Sequence, residues 1–303
     1  MAQYEKGLVT VVIPTYKRSD MITRAIDSVL NQTYKKIELL LVNDNEPGDE
    51  FSRQLEERVK KYSSDERFSL VLQDVHINGA VARNVGIKQG KGEYIAFLDD
   101  DDWWETEKVE KQVKKLEELS SEWGGVSCRA KHYKGDGSVE LHPKFKDGDV
   151  LMDILTLVSD FSTGSLLLRR EALDQARYFD ENLNRHQDIQ LLVDFTSKFK
   201  LFQLDEFLLC RDVSDAQNRP DGEKLLMHKK KFFESVKPVV DSLTKKQQKC
   251  IYSLHKYELG YVFLRNGMYG KGIKYCCAVF SSPKALQLAI KKTLLKIKSA
   301  LFK

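Results

Sequence analysis

Four short runs rich in β-branched residues punctuate the first hundred positions: LVTVVIP (8–14), KIELLLV (36–42), FSLVLQ (68–73) and EYIAFL (93–98). Between them lie RSDMITRAIDSVLNQ (18–32), DEFSRQLEERVKKY (49–62) and NGAVARNVGIKQG (78–90), whose apolar residues recur at helical spacing. Parallel strands need a crossover, and a helix is the usual one, so this rhythm predicts an α/β fold: a mostly parallel sheet flanked by helices on both faces. Ligands of such sheets bind beyond the carboxyl ends of the strands. The informative residues are therefore Pro14, Thr15 and Tyr16 after the first strand, Asn43, Asp44 and Asn45 after the second, and Asp99 to Asp102 after the fourth.

The stretch GEYIAFLDDDDWW (92–104) poses an electrostatic problem. Two carboxylates ~5 Å apart repel by roughly 3 kcal/mol at an effective dielectric of ~20. Asp102, three residues before Glu105 and ahead of KVEKQVKKLEEL, reads as half of a capping box. That leaves Asp99, Asp100 and Asp101, whose hard oxygens suit Mg²⁺ or Mn²⁺ with substrate phosphates completing the shell. No G-x-G-x-x-G follows the first strand and no G-x-x-x-x-G-K-[ST] occurs, so a phosphate held in this acidic crevice needs a bridging cation. Trp103 and Trp104 read as apolar anchors for the loop.

The 303 residues suffice for a large core, and the five cysteines form no C-x-x-C pair, which argues against structural zinc and a disulfide framework. Glu5 and Lys6 interrupt the N-terminus where a signal peptide would be apolar, and no apolar run reaches the ~18 residues of a membrane span, so the chain is expected in the cytoplasm. Charge is uneven: nine basic and no acidic residues follow Glu258, so a net +4 less the +9 of that tail leaves −5 for the body. Residues 221–303 read as a helical C-terminal region. In its last helix Leu286, Ile290, Leu294, Ile297 and Leu301 fall on one face, and Lys291, Lys292, Lys296, Lys298 and Lys303 surround the other. This is the pattern of an interfacial helix drawn to anionic lipid through 284–303, or of a helix packed on its own domain. Nucleic acid is a poor partner, since the basic tail lacks interleaved aromatic platforms.

The segments VTVVIPTYKRSDMITRAIDSVLNQTYKKIELLLVND, HINGAVARNVGIKQGKGEYIAFLDDDDWW and FSTGSLLLRREAL with FDENLNRHQDIQLLVDF resemble, in order and spacing, glycosyltransferase family 2 on a Rossmann-like GT-A fold, over residues 8 to about 210. The resemblance implies a catalytic domain over 1–220, with nucleotide-sugar binding in about 1–105 and the acceptor part in 106–220. It places Asp99 and Asp101 as ligands of Mn²⁺ or Mg²⁺, Asp100 near the donor ribose, and Thr15 and Tyr16 beside the nucleoside. Asp44 would accept the N3–H of uracil, although VNDNEPGDE departs from the family's D-D-G-S, and Arg83 would lie near the nucleotide. The family's acidic pair reads Gln187-Asp188 here, which makes Asp188 the catalytic base; its competing role is N-cap of a helix over 189–199. Arg211 and Arg219 are candidate diphosphate contacts, and the lone His186 reads as structural or acceptor-facing. The Q-x-x-R-W of processive synthases is absent. The implied activity is inverting, metal-dependent transfer of a single sugar from a UDP-sugar to a lipid-linked glycan of a cell-surface polysaccharide, at the inner face of the membrane. Two rivals stand beside it: a membrane-associated scaffold with a decayed donor site, and a sugar-phosphate nucleotidyltransferase, which would want glycines that PTYKRSD lacks.

Overall fold

The four runs pair as strands β1 (Glu5–Thr15), β2 (Ile37–Asn43), β3 (Phe68–Leu72) and β4 (Gly92–Phe97) in a computed structural model that describes residues 4–18, 20–159, 161–214 and 221–301, the side chains of 295–301 excepted. The helices between them are α1 (Ile22–Leu30), α2 (Glu50–Val59) and α3 (Gly79–Gln89). Further along come β5 (Trp103–Trp104), α4 (Lys108–Glu118), β6 (Trp123–Tyr133), β7 (Val139–Leu141), α5 (Leu151–Leu155), β8 (Leu167–Arg169), α6 (Arg170–Gln175), α7 (Gln187–Thr196) and β9 (Lys200–Asp212).

Among the described residues the strands form one sheet in the order β3-β2-β1-β4-β8-β6-β9-β5, with β7 beside β6. The expected parallel arrangement holds from β3 to β4. Beyond β4 the sheet turns mixed: β8 runs antiparallel to both β4 and β6, while β6 and β9 are parallel. The chain runs outward from β1 to β3 and then returns to pair β4 on the other side of β1. Connections leave the ends of β1 and β4 in opposite directions, which opens a crevice there.

Period-two alternation puts Val9, Val11 and Ile13 of β1 against Ile22, Ala25 and Ile26 of α1 on one face. Val12 joins Ala80, Ala82 and Ile87 of α3 on the other. Helix α3 lies so close to β1 that a Cβ at Gly86 would fall 2.3 Å from Val12 Cγ1. That approach fixes α3, and with it the arginine it points at the aspartates.

The C-terminal region is helical as expected: α8 (Gly222–Ser235), α9 (Lys237–Asp241), α10 (Lys245–Arg265), α11 (Tyr269–Cys276) and α12 (Pro283–Leu301). Asp221 caps α8 through the Lys224 N–H, and Thr244 with Gln247 forms a capping box on α10. Phe232, Val236, Val240 and Ile251 share one apolar cluster with Leu155, Phe161 and the sheet, so these helices pack against the body. A buried polar joint reinforces them. His255 Nε2 donates to the Leu155 carbonyl at 3.0 Å, and its Nδ1 accepts from Lys229 Nζ at 3.0 Å. Burial holds this imidazole well below its ordinary range, so it stays neutral and can make both bonds.

Helix α12 packs through Ala285 and Ala289, with Leu286 half-buried. Ile290 and Leu294 remain 52% and 60% exposed, and Tyr269, Ile273 and Phe280 on the preceding turns are exposed as well. Thus the helix uses one edge on its own domain and leaves part of the predicted stripe in solvent. The side chains of Lys296, Ile297, Lys298, Leu301 and Lys303 lie outside the described residues, as does Arg219. No described helix is long and apolar enough to cross a membrane.

Candidate active site

Every strand end at the crevice contributes a polar side chain, and each is tied to another element. From the end of β1, Thr15 Oγ1 donates to Asp100 Oδ2 at 2.7 Å. Arg18, three residues on, pairs with Asp101 at 2.5 Å. Arg83 projects from α3 and pairs with Asp99 at 2.6 Å. Arg24 on α1 donates to the Asp101 carbonyl at 2.6 Å and lies 3.8 Å over the Trp103 ring. Guanidinium groups of Arg18 and Arg83 thus offset part of the repulsion that the sequence raises, with Arg24 tying the loop backbone.

Asp102 does not cap α4. That helix starts at Lys108, with Glu107 in the N-cap position and no side-chain cap bond. Instead the buried Asp102 accepts the Asp212 N–H at 3.0 Å and faces Arg211 at 3.4 Å, joining the aspartate loop to the end of β9. A bond to a strand end fixed by the sheet wins over a local capping motif. Glu105, the other half of the expected box, pairs with Lys131 at 2.7 Å. Arg211 therefore meets a carboxylate of the loop.

The four aspartates are not equivalent. Burial raises Asp99, but Arg83 and then Arg211 outweigh it and hold this carboxyl below the usual range. Burial, with further repulsion from the neighbouring aspartates, pushes Asp100 up to about 7 and Asp102 to about 8, and raises Asp101 too. Asp99 is thus held as the anion, while Asp100 and Asp102 keep protons up to near neutrality. Divalent-cation binding would draw those protons off. The residues fit Mn²⁺ or Mg²⁺: the donors are hard oxygens, and guanidinium cations already sit on Asp99 and Asp101. Among the described residues no three His, Cys, Asp or Glu side chains gather as a ready-made metal cage.

Asp44 follows β2 and is 2% exposed. Its neighbours Asn43 and Asn45 are taken up in local bonds to Ser52 and to each other. The Asp44 carboxylate accepts from Gln73 Nε2 at 2.6 Å and meets His76 Nδ1 at 2.9 Å. Burial raises its pKa, and the His76 and Gln73 contacts pull against that. Tyr16 stacks on His76 with ring centroids 3.7 Å apart.

Thr15, Tyr16, Asp44, Arg83, Asp99, Asp100 and Asp101 line one open cleft of about 430 Å³. Asp188 is not among its lining residues. It is exposed in the first turn of α7, and the helix starts at Gln187 with His186 in the N-cap position, so Asp188 is not the cap. Gln187 reaches the site: its Oε1 lies 3.5 Å from Arg83 Nη1 while its Nε2 donates to the Leu183 carbonyl at 2.6 Å. A neutral amide there leaves the Arg83 charge to Asp99. His186 adopts a left-handed conformation (φ 63°) that starts α7, and it packs edge-on against Phe232, a structural role.

Arg18, Arg24, Gln73 and His76 escape the sequence reading. Arg18 and His76 follow β1 and β3 by a few residues, so the strand-end rule finds them once it is applied to longer loops and to the third strand.

Trp104 is the anchor its sequence position suggests. It is 3% exposed, donates from Nε1 to the Gly164 carbonyl at 2.9 Å, and lies under Lys108 Nζ at 3.9 Å. Trp104→Ala is expected to cost about 3–5 kcal/mol of stability from lost contacts and the cavity left behind, read by urea unfolding.

The model of the family described as Glycosyl transferase family 2 matches residues 10–177, more than half of the chain. The amylovoran biosynthesis glycosyltransferase AmsB of Erwinia amylovora is 31% identical over 195 residues, covering 61% of this chain and 62% of AmsB. The UDP-Glc:alpha-D-GlcNAc-diphosphoundecaprenol beta-1,3-glucosyltransferase WfaP of Escherichia coli is 36% identical over 110 residues, 36% of this chain and 41% of WfaP. The matches thus span less than two thirds of either relative's own length. The crystal structure of S. aureus TarS 1-349 in complex with UDP-GlcNAc has the same fold, with a TM-score of 0.58 at 18% identity over 86% of this chain and 73% of that one.

Proposed function

We propose, for a chain that belongs to glycosyltransferase family 2 and has its GT-A fold, that it transfers a single sugar from a UDP-sugar, with inversion, to a hydroxyl of a lipid-linked glycan in cell-surface polysaccharide synthesis. The observation that carries this reading is the convergence of Tyr16, Asp44, Arg83 and Asp99 to Asp101 on one cleft at the switch point of the sheet. A nucleoside needs an aromatic face and a hydrogen-bond acceptor; a diphosphate needs cations. Both sets of groups border one space.

Asp99 and Asp101 would hold Mn²⁺ or Mg²⁺, which when bound supplies the positive charge that a departing diphosphate needs. Tyr16 and Asp44 bind the base, and Asp100 faces the ribose while bonded to Thr15. Arg83 and Arg18, drawn off the aspartates they pair with, meet the diphosphate oxygens. Asp188 takes the proton of the acceptor hydroxyl as that oxygen bonds to the anomeric carbon. The bond from that carbon to the diphosphate oxygen breaks on the opposite side, and UDP leaves with the electron pair. Without the processive Q-x-x-R-W segment, one addition ends the reaction.

The lipid-linked acceptor is supported by the C-terminal surface and by the acceptor that the name of WfaP states. Tyr269, Ile273, Phe280, Ile290 and Leu294 are exposed among lysines, in a tail with no acidic residue after Glu258. Apolar side chains with a basic surround suit the boundary of an anionic bilayer, each lysine adding about 1 kcal/mol. The protein is expected to co-sediment with vesicles of 30% phosphatidylserine and not with phosphatidylcholine alone, a composition chosen at about the anionic density that such patches sense. On vesicles carrying a polyprenyl-diphosphate sugar, a UDP-sugar should add a mass of one residue. Addition of many sugars, or none with any UDP-sugar, would contradict the proposal.

A further inference from the structure

The loop after β3 carries His76 into the cleft. Its imidazole lies flat on Tyr16, with ring centroids 3.7 Å apart and planes 8° from parallel. Its Nδ1 faces Asp44 Oδ2 at 2.9 Å and the Asp44 carbonyl at 3.1 Å. A carbonyl and a carboxylate both accept, so Nδ1 carries the proton and donates. Asp44 Oδ1 accepts from Gln73 and the Ile77 N–H also bonds the carboxylate, while Oδ2 is the oxygen that His76 faces.

A planar ring stacked on a tyrosine and giving a ring N–H to a buried carboxylate makes the contacts that a nucleobase would make in this seat. A base and the imidazole cannot both hold Tyr16's covered face and Asp44 Oδ2. We propose that His76 is an internal surrogate for the donor's nucleobase, one that must leave Tyr16 and Asp44 before the base can enter. This rests on reading Tyr16 and Asp44 as the base site.

Two consequences follow from the competition. Apparent donor affinity falls by the fraction of molecules whose seat is open. A base that displaces His76 must also replace its N–H, because otherwise the buried Asp44 loses a partner. Uracil N3–H can do so; cytosine N3, an acceptor, cannot. His76 sits in an irregular loop between Val75 and Ile77, which are 51% and 53% exposed, so the swing would break the Tyr16 stack and the Asp44 contacts but no apolar core.

The test is calorimetric titration of the full-length wild type and His76→Ala with UDP in the presence of Mn²⁺. If the imidazole fills the seat about nine-tenths of the time, His76→Ala binds UDP about tenfold more tightly. Equal or weaker binding by the variant, with wild type binding UDP, overturns the surrogate and makes His76 a bystander or a wall of the base site. His76→Phe, which keeps the stack but not the N–H, should bind UDP more tightly than wild type, and a failure to do so also counts against the proposal. If neither wild type nor His76→Ala binds any nucleotide, the base-site reading itself falls, and the surrogate with it.

Discussion

Asp188→Asn is expected to lower sugar transfer by about 10²–10⁴-fold, the range that general-base groups contribute, while UDP affinity stays close to that of wild type. The two effects separate because Asp188 stands outside the lining of the nucleotide cleft, in the first turn of α7. Its neighbour Gln187 contacts Arg83, so the carboxylate lies one helical position from the groups assigned to the diphosphate. Consecutive helix residues point about 100° apart, which turns the exposed Asp188 away from the direction in which Gln187 reaches Arg83. The residue is exposed and the substitution nearly isosteric, which leaves stability within about 0.5 kcal/mol. Rates with saturating donor, beside calorimetric UDP affinity, measure both. Undiminished transfer would remove Asp188 from the mechanism. Lost UDP binding would make it part of the donor site.

Asp101→Asn carries the second large effect, and its sign depends on the metal. In Mn²⁺ the variant should bind UDP about 100-fold more weakly, because a hard anionic ligand has become a neutral amide. In EDTA it should bind UDP at least as tightly as wild type, since one charge that repels the diphosphate has gone and Arg18 is freed from its pair. A merely structural aspartate would weaken binding equally in both conditions. Thr15 and Asp100 stay bonded in either case, so the loop keeps its main tie to β1.

The parallel half of the sheet and its ligand edge are legible in the residues because strands buried on both faces read as continuous β-branched runs between helical patterns, and because ligands of such sheets meet the strand ends. Val9, Val11 and Ile13 enter one cluster and Val12 the other, so the run is buried on both faces. In the mixed half the short strands are not legible: β8 has three residues and β5 two, too short for periodicity to speak. Asp102 shows the limit of local motifs, since its carboxylate serves an N–H 110 residues away. Arg83 and Asp99 are joined only by the packing of α3 on β1, made close by Gly86. His76 is a different kind of miss, for its place after a strand is visible but its stack on Tyr16 exists only in the folded cleft.

The central claim is that the aspartate loop and the Tyr16–Asp44 seat form one nucleoside-diphosphate site completed by a divalent cation. Calorimetric titration of the full chain with UDP, GDP and CDP, each with and without Mn²⁺, tests it most directly. Binding of UDP is expected to require Mn²⁺ and to exceed that of CDP and GDP. Absence of binding by all three nucleotides, or UDP binding indifferent to the metal, would contradict it.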